Sequence, residues 1–85
     1  MNDAIHADLA PKAVGSYPHA RRSGNLLFLS GIGPRSAADN SIPGNVYDPS
    51  GQLRHYDISA QCHSVFANVK AVLESAGAGW NDLID

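Results

Sequence analysis

Tyr17 and His19 stand two residues apart, a spacing that would send both side chains to one face of a regular strand. A tyrosine offers a flat apolar ring to a planar ligand and a hydroxyl to bond with it. An imidazole can give or take a proton near neutral pH. Pro18 lies between them and works against a regular strand. Further along, Ser30 and Gly31 follow the apolar run Leu26-Leu27-Phe28-Leu29, where a hydroxyl and a backbone N–H could face a cleft. The plainer readings are a half-buried strand tyrosine and an ordinary strand-end turn. Taken as chemistry, the four residues could hold a small flat ligand and move a proton.

The remaining reactive side chains point elsewhere. Arg21 and Arg22 are neighbours and would face opposite ways on a strand; one could meet an anionic substrate, although solvated surface charge is the simpler reading. His6, His19, His55 and His63 show no zinc-ligand spacing, so no metal is expected. Cys62 falls on an apolar helical stripe, which suits a small buried hydrophobe better than a nucleophile. Gly31-Ile32-Gly33 hints at a phosphate loop, but Pro34 removes an N–H, a third glycine is missing, and no helix follows directly.

These residues need elements to position them. Ser23-Gly24-Asn25 is turn chemistry, separating a segment from Tyr17 to Arg22 from the run at 26–29. The two read as a β-hairpin whose second strand is buried on both faces, and whose first lies at an edge or begins after Pro18. Residues 33–56 form a long loop rich in Pro and Gly, with Asp48-Pro49-Ser50-Gly51 as a turn between two short strands. Ile58, Cys62, Val65, Phe66, Val69, Val72, Leu73 and Ala76 then trace one stripe of an amphipathic helix. Asp57 suits its N-cap and Gly77 the left-handed position after its end. Trp80 should cover core or an interface, and Leu83-Ile84 begins another apolar run.

The 85 residues allow one domain, and the balance of 44% hydrophobic to 16% charged residues is that of a globular chain. Six Lys+Arg against eight Asp+Glu give a net charge of −2, so neither nucleic acid nor an anionic membrane surface is an expected partner. A single cysteine excludes an internal disulfide. No apolar run approaches the roughly 18 residues of a membrane span. The start, MNDAIHADLAPK, lacks the basic and apolar regions of a signal peptide, which makes a cytoplasmic protein the expectation. A chain near this size buries only about 60–65% of its unfolded surface, so its core must be efficient or shared with partner subunits.

The string GSYPHARRSGNLLFLSGIGPR, followed by DISAQCHSVFANVKAVLESAGAGWNDLID, resembles the Rid (YjgF/YER057c) family. Members carry a G-x-Y-[SP]-x-A strand, a G-[ND]-x-[LI]-[FI]-x-S-G strand and a D-I-x-A-Q-x-x-x-V-x-x-N helix. Gly15, Tyr17, Ala20, Gly24, Asn25, Ser30, Gly31, Asp57, Ala60, Gln61, Asn68 and Gly77 match, across residues 11–85. Pro18-His19 in place of the commoner Ser-Gln, with the long loop from Pro34 to Tyr56, is similar to the 2-aminomuconate deaminase branch.

The resemblance implies an α+β, chorismate-mutase-like fold. Its N-terminal part would be the hairpin, the long loop and the amphipathic helix packed on the sheet. It also implies a homotrimer with sites between subunits. The reaction would be cofactor-free hydrolysis of an enamine or imine carboxylate to a carbonyl compound and ammonia. Tyr17, Ser30 and Gly31 would then bind substrate, while His19 is the candidate catalytic proton donor on its own chemistry and its spacing from Tyr17. The family's carboxylate-clamping arginine and water-positioning acid have no counterpart in the matched motifs. The expected organisation is one partial domain over 1–85, with an N-terminal arm at 1–12, the loop at 33–56 and the helix at 57–76. Two rival readings are a general deaminase of reactive imines and a non-catalytic remnant or interaction protein.

Overall fold

A computed structural model describes residues 2–84. Three antiparallel strands, β1 (Asn2–Ile5), β2 (Ala20–Ser23) and β3 (Leu26–Leu29), form a sheet in that order. Two short strands, β4 (Val46–Tyr47) and β5 (Leu53–His55), pair within the long loop. Helix α1 (Ile58–Ser75) follows, then a 3₁₀ turn at Trp80–Asp82. The architecture is α+β, with helix and sheet as two layers.

Gly24, at φ +61°, leads the two-residue connection of the β2–β3 hairpin, the glycine-first pattern of a type II′ turn. β2 begins after Pro18, whose missing N–H could not have served the ladder. It is central rather than an edge strand, because the N-terminal segment expected to be an arm supplies β1 on its other side. Pairing Ile5 with Ala20 satisfies backbone groups that a lone hairpin would leave open. The ladder runs one residue further, with His19 N–H donating to the Ile5 carbonyl and Ser30 N–H to the His19 carbonyl, both at 3.0 Å.

Among the described residues, the sheet is covered on one face. Ala20 is fully buried and packs with Ala7, Ala10 and Val72, while Leu27 and Leu29 pack against that cluster. Alternation sends Leu26 and Phe28 the other way, where they are 46% and 59% exposed. The expectation that β3 is buried on both faces is therefore corrected: a single helix layer covers one side of an edge strand.

Asp57 caps α1 by accepting from the N–H groups of Ser59 and Ala60 at 3.0 and 3.3 Å. Gly44, at φ +81°, lies so close to this cap that an added Cβ would stand 2.9 Å from Asp57 Cβ. At the other end the Gly77 and Ala78 N–H groups donate to the Glu74 and Leu73 carbonyls at 3.0 and 2.8 Å, and Gly77 has φ +77°. That is a Schellman closure. Arg22, read from sequence as solvated, reaches across from β2 and donates from Nη2 to the Ala76 carbonyl at 2.5 Å, a cation at the negative end of the helix dipole.

The apolar stripe of α1 is buried only in its last turns, at Val72 and Leu73. Ile58 and Phe66 are exposed, and so is Cys62, which corrects its expected place as a buried hydrophobe. The core cluster meets the helix at Ala71 and Val72, and the earlier turns extend past it. The Phe66 ring meets Trp80 edge-on, with centroids 6.2 Å apart. Leu83 is extended and Ile84 is 85% exposed. Among the described residues no helix is long and apolar enough to cross a membrane.

Candidate functional site

The end of β3, the segment before β2 and the start of the long loop enclose a cavity of about 310 Å³. Tyr17, His19, Ser30 and Gly31 all line it. The residues singled out from sequence are thus brought together, although Pro18 interrupts the strand that was to align two of them.

Ser30 holds the site by both backbone and side chain. Its N–H extends the ladder, and its hydroxyl donates to the Pro18 carbonyl at 2.8 Å, fixing the residue next to Tyr17. A hydroxyl that spends its hydrogen this way keeps lone pairs able to accept from a ligand. Gly31 follows with a backbone N–H that finds no partner among the described residues, and an added Cβ there would have nothing within 4 Å. Tyr17 is 44% exposed, with its ring lying against Gly15.

His19 has a different setting. The Ala7 N–H donates to its Nδ1 at 3.0 Å, so that nitrogen carries no proton. The proton therefore sits on Nε2, which donates to the Pro11 carbonyl at 2.7 Å. Both ring nitrogens of a neutral imidazole are engaged with backbone. In this arrangement His19 pins the N-terminal segment over β2, and it could pass a proton to a ligand only by releasing Pro11.

Helix α1 secures the opposite wall. Ser64 Oγ donates to the Pro34 carbonyl at 2.6 Å, and Asn68 Nδ2 donates to the carbonyls of Gly33 and Arg35 at 3.0 and 2.8 Å. Gln61 Nε2 reaches Asn45 Oδ1 at 2.9 Å. The polar positions of the helix therefore face the loop. Asn68 is only 6% exposed and itself lines the cavity.

The charge of the cavity comes from residues that sequence reasoning passed over. Lys12 and Arg35 line it, and among the described residues no Asp or Glu does. Arg21 and Arg22, the arginines considered from sequence, do not. The available signal was position: Arg35 follows the Ser30-Gly31 pair by four residues, inside the segment that Asn68 straps down. Among the described residues no group of three His, Cys, Asp or Glu side chains gathers closely enough to hold a metal.

The sequence profile of the family described as Endoribonuclease L-PSP matches residues 7–85. A RutC family protein of Pyrococcus horikoshii is 38% identical over 85 residues, covering 99% of this chain and 58% of its own length. A 2-iminobutanoate/2-iminopropanoate deaminase of Dermatophagoides farinae is 32% identical, covering 94% of this chain and 54% of its own. The crystal structure of the YjgF gene product of Escherichia coli superposes with a TM-score of 0.78 at 28% identity, over 96% of this chain and 55% of that one. This chain spans about half the length of the relatives it matches. Its hairpin strands and helix match the N-terminal part of the chorismate-mutase-like Rid fold, and the chain belongs to the Endoribonuclease L-PSP family, the Rid family of its sequence motifs.

Proposed function

We propose that this chain contributes the substrate-binding wall of a cofactor-free deaminase, acting on a conjugated enamine or imine carboxylate, with 2-aminomuconate as the specific candidate. The observation that carries the reading is the convergence of Tyr17, Ser30 and Gly31 on one cavity, a flat ring beside a hydroxyl acceptor and an open N–H. The deaminase name of the mite relative supports the reaction class.

For an enamine, protonation at carbon gives an iminium ion. Water adds to its carbon, and the resulting carbinolamine expels ammonia to leave a carbonyl compound. The Tyr17 ring lies along the planar substrate, Ser30 Oγ accepts from the amino group, and the Gly31 N–H donates to an oxygen of the substrate or of the adding water. His19 acts chiefly by holding the wall, since both its nitrogens serve backbone groups. Three copies assemble, and the uncovered sheet face with Leu26 and Phe28 supplies an apolar surface for that assembly. A ribonuclease reading, which the family's description suggests, finds less support in a chain of net charge −2.

Ammonia release is measured with 2-aminomuconate and, in parallel, with a simple imine generated by an amino-acid oxidase. Faster release from 2-aminomuconate supports the specific reading. Preference for the simple imine moves the protein to the general detoxifying class, and no acceleration of either favours a non-catalytic interaction protein.

A further inference from the structure

The cavity carries positive charge for which hydrolysis at the imine carbon gives no reason. Its charged lining residues, Lys12 and Arg35, are both basic. Arg35 is half-buried and held at both ends. Its carbonyl accepts from Asn68, its Nη1 donates to Asn40 Oδ1 at 2.7 Å, and its Nη2 donates to the Lys12 carbonyl. Asn40 reaches it from a left-handed backbone at φ +65°, a conformation asparagine tolerates better than most residues.

These partners are neutral. Among the described residues no carboxylate stands within ion-pair distance of Arg35. Of the five N–H donors that a guanidinium carries, those at Asn40 and Lys12 engage two. What remains is a fixed, planar, uncompensated cation at the wall of a cavity that also holds an aromatic ring. Its chemical complement is a carboxylate, which a guanidinium binds through parallel N–H···O bonds. Two cationic residues that no acid joins in the cavity lining, among the described residues, match a ligand with two negative charges better than one with a single charge.

We propose that Arg35 determines specificity by binding one carboxylate of a dicarboxylate imine or enamine, a proposal that rests on the deaminase reading for the reaction but not for the binding. The protein expressed from its complete coding sequence is titrated calorimetrically with cis,cis-muconate and with sorbate, unreactive six-carbon dienes bearing two carboxylates and one. Binding of muconate about ten- to a hundred-fold tighter than sorbate is expected. Arg35→Gln should abolish that preference, and Arg35→Lys, which keeps the charge without the fork, should restore only part of it. Equal binding of the two acids by the unaltered protein, or an Arg35→Gln variant that loses affinity for both alike, overturns the proposal. If Arg35→Gln fails to melt cooperatively, Arg35→Lys alone decides, and an undiminished preference in it counts against a guanidinium-specific contact. Absence of ammonia release with retained muconate preference would sink the deaminase reading and leave the binding site standing.

Discussion

Asn68 on the helix donates to two carbonyls of one short segment, Gly33 at 3.0 Å and Arg35 at 2.8 Å, while Ser64, one turn earlier, takes the Pro34 carbonyl between them. Three successive carbonyls are thereby satisfied by one helix face, and a proline-containing segment with no ladder of its own becomes a wall. Asn68→Ala should cost about 1–3 kcal/mol, since it removes a buried amide that satisfies two part-buried carbonyls at once. Asn68→Asp should cost more, because a carboxylate cannot donate to either carbonyl and meets them with like partial charge. Urea denaturation checks both; an Asn68→Asp protein as stable as the unaltered one would contradict the strap.

Gly15 positions Tyr17 by having no side chain. A Cβ added there would stand 2.8 Å from Tyr17 Cε1, inside any ordinary contact distance. The ring is 44% exposed and free to turn away, so Gly15→Ala should leave stability within about 0.5 kcal/mol. It should move the ring off the cavity wall and, under the proposed deaminase function, raise KM for a conjugated imine about three- to ten-fold, with kcat less affected. Tyr17→Phe should keep the ring contact and lose only the hydroxyl's. An unchanged KM in Gly15→Ala would show that the ring does not bear on substrate.

Some of this architecture could be read directly from residue types. Asp57 and Gly77 bracket the helix because capping and left-handed geometry each select few residues. The Asp48-Pro49-Ser50-Gly51 turn and Gly24 were legible for the same reason. The partly exposed stripe was not. Periodicity shows which face is apolar, but Ile58, Cys62 and Phe66 stay exposed because the three-stranded sheet meets only the later turns of α1, a fact of tertiary reach. The same gap hid the site's charge. Arg22 and Arg35 look alike in sequence, yet one satisfies a helix end and the other lines the cavity, and only long-range packing separates them.

The loop turns carry their own acid sensitivity. Asp48 is held below the usual carboxylate range, first by the Ser50 hydroxyl and then by the Gln52 N–H. Asp39 is held down by Ser41 through side chain and backbone. A carboxyl lowered in the folded state contributes stability that is present above its unfolded value, near 3.8, and lost as pH falls through the lower folded value. Asp39 is exposed, Asp48 is half-buried within its own turn, and neither belongs to the core cluster, so the effect should be local loosening rather than global unfolding. Amide signals of Ser50 and Gln52 should shift together below about pH 4, and Asp48→Asn should abolish that response. A response unaltered in the Asn variant would place its origin elsewhere.

His19 can be tested as clamp against catalyst. The Ala7 N–H that it receives is almost fully enclosed, with Ala7 2% exposed, so removing the imidazole strands a buried donor. His19→Ala should therefore cost about 1–3 kcal/mol and loosen the segment between β1 and β2. Activity adds the discriminating measurement. A clamp that merely shapes the wall predicts that His19→Gln, whose amide can still accept from Ala7 or donate to Pro11, recovers most of the stability and most of kcat. A proton donor predicts the opposite split: recovered stability with kcat down about a hundred-fold or more, because an amide cannot transfer a proton at neutral pH. The double tether of Nδ1 to Ala7 and Nε2 to Pro11 favours the first outcome, since a proton spent on the Pro11 carbonyl must be recovered before it can reach substrate.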